Sequence, residues 1–97
     1  MVMRAKKKFI VVAYDIADDR RRYRVVKLLE KSGTRINYSV FECIVTENKF
    51  AKLQECISRI IHPKEDIVVY YPICLDCYSK IVYQPQQKRE YNKVFIV

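Results

Sequence analysis

The chain has 97 residues, room for one compact domain but not for two independent cores. Lys and Arg number 19 against 11 acidic residues, and the formal net charge of +8 favours an anionic partner through the summed field. No apolar run approaches the ~20 residues that span a bilayer, and four cysteines without a secretory context read as reduced thiols, so a cytoplasmic protein with no membrane association is expected.

The first element is FIVVAYD, residues 9–15, an apolar run that ends in a carboxylate. It predicts a strand buried on both faces, with Asp15 at the exposed end, because an unpaired carboxylate inside is costly. An acid there suits a metal or a proton-transfer role. Asp18 and Asp19 are N-cap residues for a helix carried by RRRYRVVKLLEKSG, with Val25, Leu28, Leu29 and Ser32 at helical spacing. Gly33, the single glycine, stands where a C′ residue is expected.

RINYSVFECIVT follows, rich in β-branched and aromatic residues, and splits near Tyr38 and Ser39 into a hairpin. Thr46 caps a second helix, ENKFAKLQECISRII, whose apolar stripe is Phe50, Leu53, Ile57, Ile60 and Ile61; Pro63 ends it. IVVYYPI at 67–73, opened by Asp66, is a further strand, and 81–83 and 94–97 are short β-like pieces. The order predicts one α+β domain over 1–97, a ferredoxin-like βαββαβ sandwich with both helices on one face of the sheet and an extra C-terminal strand. That last strand, VFIV, needs a surface to pair with; the sheet edge of a second subunit supplies one, so a homodimer is expected.

Arg20, Arg21, Arg22 and Arg24 crowd the start of the first helix, the end that is already partially positive. Backbone N–H groups backed by guanidinium donors make a phosphate-sized site beside Asp15. A solvated charged face balanced by Asp18 and Asp19 is the alternative, and Arg21 and Arg22, near the rim of the apolar stripe, fit it least. One Asp is few ligands for Mg2+ or Mn2+, which takes one or two carboxylates, waters and substrate oxygens. Two copies of Asp15 near a dimer axis would remove the shortage. Glu42, Asp18 and Asp19 rank below, as the polar side of a strand and as caps.

His62, before Pro63, suits complementing a helix C-terminus better than catalysis. Cys74 and Cys77 form CLDC, the spacing of half a zinc site or a redox pair. With no second such pair, a tight turn after the strand is the favoured reading, and Cys43 and Cys56 read as core thiols. Sheet packing accounts for Tyr38, Tyr70 and Tyr71 without base stacking.

The stretch at 14–45 combines a Tyr-Asp-Ile strand end, an arginine-bearing helix start, a Gly-x-Arg turn and a Ser-Val-Phe-Glu strand. Together these resemble the small CRISPR-associated endonuclease of the spacer-acquisition module, and the likeness extends to DIVVYYPI and the C-terminal apolar strand. The resemblance implies a ferredoxin-like homodimer acting as a metal-dependent phosphodiesterase on RNA or DNA, bridging a CRISPR integrase subunit. By the same resemblance Asp15 is the catalytic, metal-binding acid and Tyr14 its strand neighbour. Arg22, Arg24 and Arg35 fall where family arginines contact phosphate or support the site, and Ser39 and Phe41 match the motif that lines it. Asn37 stands where the family usually has Gln, a shorter carboxamide with the same donors and acceptors. The other readings are a noncatalytic double-stranded DNA scaffold between integrase subunits and a toxin-type ribonuclease on the same fold.

Overall fold

The computed structural model describes residues 6–85. Its elements run β1 (Lys7–Asp15), α1 (Asp19–Glu30), β2 (Gly33–Asn37), β3 (Val40–Thr46), α2 (Glu47–Ile60), β4 (Ile67–Ile73) and α3 (Leu75–Ser79). The strands form one sheet in the order β2-β3-β1-β4, and every pairing is antiparallel. This is the expected ferredoxin-like arrangement, with the first strand inside the sheet.

Alternation along the strands sorts the faces. Ile10, Val12 and Tyr14 of β1 and Phe41, Cys43 and Val45 of β3 point into a core closed by Val25, Val26 and Leu29 of α1 and by Leu53 and Ile57 of α2. Each fully buried Leu, Ile or Phe contributes roughly 1.5–3 kcal/mol relative to exposure, so this single layer is the main source of stability. The caps are local and as expected: Asp18 Oδ2 accepts from Arg21 N at 3.0 Å and Thr46 Oγ1 from Lys49 N at 3.2 Å.

On the other face Phe9 sits across from Ile73, Val11 from Tyr71, Ala13 from Val69 and Asp15 from Ile67. No helix of the α1–α2 layer covers it. At one end α3 does, its Tyr78 ring meeting Phe9 edge-on with centroids 4.8 Å apart.

Several expectations are corrected. Gly33 is not a left-handed helix cap. The helix ends on Lys31 in a right-handed conformation, and Gly33 opens β2 opposite Cys43. Its role is steric, since a Cβ there would lie 2.2 Å from the Glu42 carbonyl oxygen and 2.7 Å from Cys43 Sγ. Leu75–Ser79 form a one-turn helix and not a tight turn, and 81–83 form no strand. The Tyr83 hydroxyl bonds the Glu42 carboxylate on an inner strand, so the segment passes over the sheet and does not run along its edge. Glu42 is therefore buried, not a solvated strand residue. Cys43 is a core thiol but Cys56 is exposed on α2, and Tyr38 is a largely exposed turn residue outside the sheet. The expected strand at 94–97 lies outside the described residues.

Candidate active site

β1 ends where it leaves its partners, so Asp15 is exposed at the sheet's rim opposite Ile67. It borders a cleft of about 380 Å³ together with Tyr14, Asp19, Arg22, Tyr38 and Ser39. The β2–β3 turn is tied to β1 by two bonds: Tyr14 N donates to the Ser39 carbonyl at 3.0 Å and the Tyr14 hydroxyl donates to the Tyr38 carbonyl at 2.9 Å. Burial pushes the Tyr14 phenol up, against the opposing charges of Arg35 and Arg22. Asn37 Oδ1 accepts from Ser39 N at 2.9 Å, so the short carboxamide shapes this turn itself.

The arginines separate by position. Arg22 Nη2 donates to the Ile16 carbonyl at 2.8 Å and Nη1 to Asp19 Oδ1 at 2.6 Å, which places a guanidinium on the cleft wall beside Asp15. Arg35 donates to the Asn37 and Tyr38 carbonyls at 3.2 and 2.9 Å and stacks over the Tyr38 ring, 5.3 Å from its centroid. Arg22 uses two of its five N–H donors in these bonds, so capacity remains for an anion. Arg24 is exposed on α1 with no ion pair among the described residues. Arg21 faces the other way, its guanidinium engaged by Asp66 and Glu65. Phe41 lies wholly in the core beneath Tyr14, ring centroids 6.3 Å apart, and supports the cleft from below. His62 does not line the cleft; its Nδ1 accepts from Lys64 N at 3.2 Å.

One residue of consequence was not singled out for this role in the sequence. The Asp66 carboxylate is fully enclosed and accepts from Arg21, from Ala17 N at 3.0 Å and from His62 N at 2.8 Å. It pins the loop that leaves Asp15 to the start of the strand that pairs with Asp15. The Arg21 hydrogen bond, reinforced by the two backbone donors, holds this carboxyl well below the usual range despite its enclosure. The only local cue was an acid opening an apolar strand.

No group of three or more His, Cys, Asp or Glu suited to a metal occurs among the described residues. Within one chain Asp15 is the available acid, since Asp19 in the same cleft is paired with Arg22. One hard oxygen donor beside a guanidinium fits the way Mg2+ is held with substrate oxygens and water.

Residues 8–81 match the family model described as CRISPR associated protein Cas2. The chain belongs to that family. It is 48% identical over 63 residues to a protein of Synechocystis named CRISPR-associated endoribonuclease Cas2 3, covering 65% of this chain and 68% of the relative. A Thermus thermophilus CRISPR-associated endoribonuclease Cas2 is 41% identical over 63 residues, covering 65% and 67%. The crystal structure of Streptococcus pyogenes Cas2 superposes with a TM-score of 0.70 at 28% identity, covering 77% of this chain and 96% of that one. A chain of a partial Cas6-RT-Cas1–Cas2 complex gives 0.67 at 28% identity, covering 78% and 83%. The Cas2 segment thus spans β1 to just past α3, and the resemblance read from residues 14–45 holds beyond them. No helix among the described residues is long and apolar enough to cross a membrane.

Proposed function

We propose that the chain is a divalent-metal-dependent endonuclease that cleaves a nucleic-acid phosphodiester as a homodimer and takes part in spacer acquisition. The observation that carries this reading is the exposed Asp15 carboxylate on the same cleft as the Arg22 guanidinium and Ser39. The name endoribonuclease borne by the Synechocystis and Thermus relatives makes RNA the first substrate to test.

Asp15 would hold Mg2+ or Mn2+, which when bound supplies Lewis-acid polarisation of a phosphoryl oxygen and acidifies a water. Arg22 binds the phosphate on the cleft wall, with Arg35 keeping the turn in place and Arg24 extending the positive surface. Ser39 offers a hydroxyl to a non-bridging oxygen. Arg21 acts at a distance, through Asp66. The dimer is favoured by the helix-free face, where Ile67 and Tyr71 are 58% and 51% exposed in line with Asp15. Packing two such faces together buries that apolar surface and brings two Asp15 carboxylates toward one axis.

The test is cleavage of single- and double-stranded RNA and DNA, with and without Mg2+ or Mn2+, by wild type and Asp15→Asn. Metal-dependent cutting that falls at least ~100-fold in the variant, with nucleic-acid binding retained, is the expected result. Equal cutting by both proteins overturns it. The second reading, a noncatalytic double-stranded DNA scaffold held by an integrase subunit, is favoured by the similarity to a chain of a complex containing Cas1 and by the net charge of +8. On that reading Asp15→Asn leaves DNA binding and spacer integration unchanged.

A further inference from the structure

α3 carries a pair of side chains that the proposed nuclease chemistry does not use. Cys74 is its N-cap residue and Cys77 the third residue of its single turn, and Cys77 N donates to Cys74 Sγ at 3.3 Å. Both thiols are exposed. Cys74 lies just outside the helix in extended conformation with its Sγ against the Cys77 amide, so both side chains share one end of the turn, and closure to the ~3.5–4.5 Å Cβ separation of a disulfide is reached by a shift of the cap residue's backbone.

We propose that Cys74 and Cys77 are a reactive dithiol that closes to an intramolecular disulfide by exchange with a low-molecular-weight disulfide. The Cys74 thiolate attacks one sulfur of the small disulfide, forms a mixed disulfide and expels the first thiolate, which takes the proton Cys74 gave up. Cys77 then loses its proton and attacks Cys74 Sγ, expelling the second thiolate, which takes that proton. Two protein thiols lose two electrons and two protons, and one small disulfide becomes two thiols.

The order of the two steps follows from the hydrogen bonds. The Cys77 N–H directed at Cys74 Sγ lowers the Cys74 thiol, whereas the neighbouring Cys74 raises Cys77, so the first attacks and the second resolves. A soft metal is the weaker occupant, because no third His, Cys, Asp or Glu joins the pair among the described residues. The position gives the closure a structural reach: Tyr78 N donates to the Cys74 carbonyl at 2.8 Å, and the Tyr78 ring covers Phe9. The disulfide would fasten the turn that caps this end of the open sheet face. Phe9 and Asp15 lie at opposite ends of β1, so the site does not depend on the nuclease reading.

The probe is oxidised glutathione, applied to the full chain as wild type, Cys74→Ser and Cys77→Ser, with intact-mass and peptide mapping. Serine keeps the capping oxygen, and circular dichroism checks that each variant is folded. The wild type is expected to lose two hydrogens in one peptide linking 74 to 77, while Cys77→Ser traps a mixed disulfide on Cys74 about tenfold faster at pH 7 than the exposed control Cys56 gains one. The proposal is overturned by wild type that carries separate glutathione adducts on both residues, by a disulfide joining two chains, or by Cys74 in Cys77→Ser reacting no faster than Cys56.

Discussion

The Arg21 guanidinium and the Asp66 carboxylate meet edge to edge, Nε to Oδ2 at 2.7 Å and Nη2 to Oδ1 at 3.1 Å. Such two-point pairing fixes orientation as well as charge. It joins α1 to the entrance of β4, and with the Ala17 amide it holds the loop that follows Asp15.

The pair has a pH signature. Because the Asp66 pKa is depressed in the folded state, its contribution to stability is complete above the ordinary carboxylate value of about 4 and is lost as pH falls below it toward the lower folded value. Urea midpoints should therefore drop as pH is taken below that value, and Asp66→Asn should remove part of the drop. At pH 7 the same variant should melt roughly 5–10 °C lower; an unchanged melting curve would show that the enclosure of Asp66 carries no stability.

Gly33→Ala should destabilise by about 1–3 kcal/mol in urea denaturation, since the added methyl meets the Glu42 carbonyl oxygen and Cys43 Cα, backbone of the facing strand that a side-chain shift cannot clear. Substituting Asn at the same place should be worse than Ala, the opposite of what a left-handed cap would give.

Tyr14→Phe removes the bond to the Tyr38 carbonyl and should cost about 1 kcal/mol, with the melting curve as the measure. Arg22→Lys keeps a charge but loses the fork shared between Ile16 and Asp19. On the proposed function its cleavage rate should fall roughly ten- to hundredfold while the fold is kept.

Burial, aided by the Glu42 charge, pushes the Cys43 thiol up to about 11. In native protein at pH 8 a thiol-reactive disulfide should label the exposed Cys56, and Cys43 only after denaturant is added. Rapid labelling of Cys43 in the native state would show that the core opens locally.

Features set by near neighbours were legible in the chain. Asp18 and Thr46 cap the helices they precede, and the apolar runs gave four strands around two helices because burial acts on periodicity alone. What was not legible depended on distance. Asp66 finds Arg21 45 residues away, and Glu42 finds Tyr83 41 residues away, so neither pairing has a local cue. Gly33 was misread because the same residue type serves a left-handed cap and a close strand approach, and only the register opposite Cys43 distinguishes them. Arg21 and Arg22 are adjacent in sequence, yet their side chains diverge around the helix, one to a carboxylate and one to the cleft.

β1 is paired on both sides, with β3 through a hairpin-linked neighbour and with β4 only after α2 has been made. A growing chain that has reached the end of α2 holds Asp15 on a strand with one bare edge, and neither Ile67 nor Asp66 exists to fix it. The acid and the arginines are synthesised early, but the frame that aims them is completed late. Assembly order thus carries a cost: every residue lining the cleft is made before α2, yet until β4 pairs, β1 keeps an edge prone to wrong pairing.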